Sequence, residues 1–151
     1  LNASQDSLNN VPKNLYGWLV LVGPLTEALK QIFPDWQLQV LSQEWHENSK
    51  TWVREIAHVS NKKNLVYAKL EVPEQSFKSF KSELQNLGSK PIGVTLLYGN
   101  PDVTRSAFSY SKLACPMLGD GLYWARQSTF YWNHLPLTLT EIFSPDLPEL
   151  K

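Results

Sequence analysis

LPLTLTEIF, residues 135–143, is the most informative stretch of this chain. It alternates with the two-residue period of a strand. Leu137, Leu139, Glu141 and Phe143 fall on one face, and Thr138, Thr140 and Ile142 on the other. A carboxylate in line with three large apolar side chains points into the core, where an unpaired charge is costly. TWVREIAHV, residues 51–59, repeats the anomaly with the opposite sign, because Arg54 shares a face with Trp52 and Ile56. Two strands thus each aim an ionised group inward, the pattern of a buried polar site.

Around these two strands the periodicity predicts four more, at 37–45, 65–72, about 102–112 and about 122–132. SNKKN (60–64) and NHLP (133–136) read as turns between neighbours. Helices are expected over 12–22, 24–33 and 74–87, with a short one from Pro91 through Leu97. The third is the clearest: Phe77, Phe80, Leu84 and Leu87 form one stripe, and Gly88 supplies a stop. The second starts after Gly23-Pro24, and its free backbone N–H groups offer a place for an anion. Long consecutive strands, hairpin-linked in the second half, with helices elsewhere, predict an α+β fold with one antiparallel sheet. One domain is expected across residues 1–151, with 1–11 as a flexible N-terminus.

Composition narrows the function. Fourteen basic and fourteen acidic residues give zero formal charge, so no basic surplus favours nucleic acid. The single cysteine, Cys115, excludes an internal disulfide and a cysteine-rich zinc site; in LACPML it reads as inert. No apolar run approaches the roughly 20 residues of a membrane span, LYGWLVLVG (15–23) being the closest. A cytoplasmic monomer is the expectation. His46, His58 and His134 have no metal-ligand spacing and read as surface residues. No nucleophile elbow is present, and Gly119-Asp120-Gly121 lacks the strand–loop–helix setting of a phosphate loop.

Two readings of Arg54 and Glu141 stay open on this ground: a structural ion pair, or an anion site in which Arg54 offers its planar fork to a carboxylate. Lys69, Arg105 and Arg126 are further inward or edge candidates. Several cations near one carboxylate would suit a ligand with two negative charges.

WVREI (52–56), AKLEVP (68–73), LGSKPIG (87–93), TRSAF (104–108), LYWARQS (122–128) and LPLTLTEIFSPDLP (135–148), with GPLTEAL (23–29), together resemble the chorismate lyase family in order and spacing. The likeness spans nearly everything after residue 15. It implies a six-stranded antiparallel sheet with helices packed against it and an enclosed ligand pocket. It also implies a cofactor-independent lyase, with no metal, that converts chorismate to 4-hydroxybenzoate and pyruvate for ubiquinone synthesis. The family's ligand-contacting positions fall on Leu25, Arg54, Ile92 and Glu141, and Arg54 and Glu141 would carry the chemistry. Leu25 and Ile92 are conservative departures from the family's usual residues, Lys69 stands where arginine is common, and the Trp45–Trp52 connection is short. The competing expectation is a non-catalytic domain of similar architecture that binds small aromatic acids, as in the effector-binding half of some transcription regulators. The stretch before residue 37 is too short for the DNA-binding module that precedes such domains.

Overall fold

The computed structural model describes residues 8–151. Seven strands form one antiparallel sheet: β1 Gln37–His46, β2 Thr51–Ser60, β3 Lys63–Pro73, β4 Val103–Arg105, β5 Ser109–Ala114, β6 Leu122–Trp132 and β7 Leu135–Phe143. The spatial order is β1-β2-β3-β7-β6-β4, with β5 also pairing β6. The last strand in sequence therefore lies in the middle, bonded to β3 on one side and β6 on the other. This is why LPLTLTEIF carries a large apolar face.

Six strands were expected and seven are found, because the segment expected as one strand over 102–112 is two. The break lies at Ser106–Phe108. The Ser106 N–H donates to the Thr129 carbonyl, and the Thr129 N–H donates to Ser106 Oγ (both 2.9 Å), so a side chain replaces one rung of the ladder. Arg105 lies opposite Phe130, and Tyr110 opposite Arg126. The irregularity lets residues of odd and even number meet on the same face.

Two hairpins have two-residue loops with both residues at positive φ: Asn61 (49°) and Lys62 (63°), then Asn133 (49°) and His134 (68°). That is the turn whose twist matches the flanking strands. Three helices, α1 Lys13–Val20, α2 Leu25–Ile32 and α3 Glu74–Gln85, accompany the sheet. The short helix expected after Pro91 is a π turn, Gly93–Leu97. Residues 1–7 of the expected flexible N-terminus lie outside the described residues. Residues 8–11 depart from that expectation: Leu8–Asn10 form a 3-10 turn, and Leu8 and Val11 pack against the core.

Two apolar clusters stand on one face of the sheet. Trp18, Leu19, Leu25 and Leu29 from α1 and α2 meet Val66, Tyr110, Trp124 and Phe143. Phe80 and Leu84 from α3, with Leu87, Ile92 and Leu97 beyond it, meet Trp52, Leu70, Phe130, Trp132 and Leu137. Phe80 stacks on Trp132 with centroids 3.9 Å apart, and Phe77 stacks on Trp52 at 5.5 Å. Each helical group buries its own patch of the sheet, and the seam between the patches holds the polar residues.

Candidate functional site

The seam contains a hollow of about 50 Å³, lined by Ile56, His58, Ala68, Phe130, Leu139 and Glu141 from the sheet. Pro24, Leu25 and Thr26 at the start of α2 face it, as do Pro91–Val94 and Tyr98. Register explains the depression. Ile56 pairs with Ala68, and Ala68 with Glu141, so the smallest side chain of the row lies between two larger ones.

Glu141 is 5% exposed and forms an ion pair, but its cation is Arg126: Nε donates to Oε1 at 2.7 Å. Arg126 is 1% exposed and stacks over Phe108, 4.3 Å from its centroid. Its Nη1 donates to the carbonyls of Trp18 (3.2 Å), Leu19 (3.3 Å) and Leu21 (2.6 Å). These carbonyls stand at the end of α1, the negative end of its dipole, and that of Trp18 also accepts the Leu21 N–H (3.4 Å). One guanidinium therefore both caps α1 and fixes Glu141.

Arg54 is 3% exposed on the same face, two strands from Glu141 and two residues along. On a flat sheet that offset puts their Cα atoms about 12 Å apart. The Arg54 Nη1 donates to Gln43 Oε1 (2.7 Å) and the Gly88 carbonyl (3.0 Å), and Nη2 donates to the Lys90 carbonyl (2.7 Å). Gly88 has φ +58° and ends the α3 region. Arg54 thus holds the turn that delivers Pro91 and Ile92 to the hollow. Burial keeps its pKa below the usual guanidinium value.

Arg105 approaches from the opposite edge. Its Nε donates to Ser128 Oγ (3.0 Å), and its Nη1 to the Tyr98 hydroxyl (2.7 Å) and the Val22 carbonyl (3.2 Å). Its guanidinium lies 4.3 Å from the Phe108 ring centroid and 4.7 Å from that of Phe130. Burial lowers its pKa as well. Among the described residues, neither Arg54 nor Arg105 has a carboxylate within ion-pair distance. Three arginines accompany one glutamate on this face, so among the described residues one buried cation, Arg54, and one half-buried cation, Arg105, are hydrogen-bonded by neutral oxygens.

Lys69 departs from the inward role considered for it. It pairs with Glu55 and Thr140, one residue out of phase with Ala68, and so lies on the other face of the sheet. Leu25 and Ile92 do line the hollow, brought there by α2 and the segment after Lys90. No three His, Cys, Asp or Glu side chains converge to hold a metal ion among the described residues.

His58 was read as a surface residue, and the structure corrects that. It is 4% exposed and lines the hollow, whereas His134 is exposed in its turn and His46 is half-exposed beside Glu44. Trp36 Nε1 donates to His58 Nδ1 at 3.0 Å, which leaves the neutral ring's proton on Nε2. The available signal was the period of two: His58 follows Trp52, Arg54 and Ile56 on one face. Burial pushes its pKa down to about 4, against a smaller upward pull from Glu141. The unfolded chain takes up a proton near pH 6.5, and the folded chain only near pH 4. The stability His58 contributes is complete above pH 6.5 and is lost as pH falls through that window. Between pH 7 and 4 the urea midpoint of wild type should fall relative to that of His58→Phe; parallel curves would contradict a buried neutral imidazole.

Together these features define an α+β fold with a hollow over the sheet that is flanked by arginines. The family model for chorismate lyase matches residues 2–149. A probable chorismate pyruvate-lyase of Psychromonas ingrahamii is 28% identical over 156 residues, covering 88% of this chain and 83% of that protein. The chorismate pyruvate-lyase of Hamiltonella defensa is 26% identical over 152 residues, covering 92% and 82%. The C-terminal domain of the histidine utilization repressor from Pseudomonas syringae pv. tomato superposes with a TM-score of 0.60 at 10% identity, covering 77% of this chain and 96% of that one. That likeness is one of fold. The chain belongs to the chorismate lyase family. No helix among the described residues is long and apolar enough to cross a membrane.

Proposed function

We propose that this chain converts chorismate to 4-hydroxybenzoate and pyruvate. The observation that carries the proposal is the excess positive charge around the hollow: among the described residues Arg54 and Arg105 have no carboxylate within ion-pair distance, and chorismate is a dianion. In the reaction the ring carbon bearing the hydroxyl loses its proton, the ether carbon–oxygen bond breaks, and the departing enolpyruvyl group takes up a proton. Electrons balance without an oxidant or reductant, and aromatisation drives the step. The protein's tasks are to hold the dianion, place the breaking bond and manage one proton.

Arg54 would meet one carboxylate, helped by backbone N–H groups at the start of α2 beside Leu25. Ile92 would pack on the ring. Glu141, with Oε1 held by Arg126, has Oε2 for the ring hydroxyl or the moving proton. A hollow of this size admits a ring only if its cover of Leu25 and Pro91–Val94 shifts outward.

Incubating the purified protein with chorismate should release 4-hydroxybenzoate and pyruvate in equal amounts. Binding of 4-hydroxybenzoate with no turnover would favour the sensor-like alternative, which the repressor-domain fold accommodates. Glu141→Gln should lower kcat more than it weakens 4-hydroxybenzoate binding if Glu141 moves the proton; equal losses would assign it to binding alone.

A further inference from the structure

We propose that His58 reads the ligand's hydroxyl group together with Glu141, His58 donating through Nε2–H while Glu141 accepts. This rests on the ring-acid reading of the hollow and adds a residue that determines specificity.

Three observations lead there. First, His58 and Glu141 both line the hollow and are close enough for the carboxylate's charge to act on the imidazole. Second, Trp36 occupies Nδ1, so the nitrogen left for a ligand is Nε2, and it carries the proton. Third, Glu141 is held as an ion pair by Arg126 and presents acceptor oxygen. The hollow therefore offers one neutral donor and one acceptor in the same region. A hydroxyl satisfies both at once, giving its proton to Glu141 and its lone pair to His58. An aromatic amine can donate to Glu141, but its lone pair is drawn into the ring and it accepts poorly. A bare ring satisfies neither. A site built around a hydroxyl disfavours analogues that strand its buried polar groups.

The test is equilibrium binding of 4-hydroxybenzoate, 4-aminobenzoate and benzoate to wild type, His58→Phe and His58→Gln by titration calorimetry. Wild type should prefer the hydroxy acid to the amino acid by about tenfold or more. His58→Phe should lose most of that preference, read as the ratio of the 4-hydroxybenzoate and 4-aminobenzoate affinities, each taken relative to benzoate on the same variant. His58→Gln, whose amide nitrogen can stand in for Nε2–H, should recover part of it. An unchanged preference in His58→Phe overturns the assignment and leaves the ring-acid reading standing. Failure of wild type to bind any of the three ligands overturns both.

Discussion

Arg126→Met should destabilise the protein by about 3–5 kcal/mol, the range for removing one partner of a buried ion pair. For a chain of this length, that corresponds to a fall in Tm on the order of 10 °C. The cost has two sources. Glu141, almost fully buried, would lose its cation and could not recover hydration. The carbonyls of Trp18, Leu19 and Leu21 would lose the donor that ends α1. The double variant Arg126→Met/Glu141→Leu should regain much of the loss, because an apolar pair fills the space without a stranded charge. It should also fail to turn over chorismate. Urea denaturation of wild type, Arg126→Met, Glu141→Leu and the double variant completes the cycle. A loss below about 1 kcal/mol for Arg126→Met would mean that water reaches Glu141 and that the pair behaves as an exposed one.

That partnership was within reach of the sequence. Asn133-His134 is a two-residue turn, and a two-residue turn fixes hairpin register. Counting back from Trp132↔Leu135 places Arg126 directly opposite Glu141. Face assignment in β2 and β7 was legible because a period of two separates core from solvent without tertiary knowledge. The same rule points to His58, which is in phase with Trp52, Arg54 and Ile56. Other features had no local signal. The β2–β3 hairpin also has a two-residue turn, but a bulge between His58 and Val59 shifts its register. The carbonyls that accept from Arg54 belong to Gly88 and Lys90, whose path depends on how α3 packs. The split between β4 and β5 depends on a serine hydroxyl choosing a backbone N–H across the sheet. Lys69 failed for a simpler reason: its neighbours Ala68 and Leu70 carry the apolar face, so their alternation already turns it away.

Arg54→Ala should cost about 2–5 kcal/mol in kcat/KM for chorismate, between roughly thirtyfold and several thousandfold. Two separable effects contribute. The guanidinium supplies positive charge beside the hollow that no carboxylate of the described residues neutralises. It also ties the carbonyls of Gly88 and Lys90 and the amide of Gln43 into one arrangement, and so sets where Ile92 stands. Arg54→Lys distinguishes them. Lysine keeps the charge, but its single ammonium cannot reproduce the planar fork that reaches Gln43, Gly88 and Lys90 together. If the fork matters, lysine should behave nearly as badly as alanine, in turnover and in affinity for 4-hydroxybenzoate. If charge alone matters, lysine should recover most of the activity. Gln43→Ala, which removes one acceptor and leaves the cation, should fall between wild type and Arg54→Lys. Denaturation midpoints measured beside the kinetics separate loss of the folded population from loss per folded molecule. Wild-type turnover in both Arg54→Ala and Arg54→Lys would reject Arg54 as the anion's partner and leave it only a tether for the turn after α3.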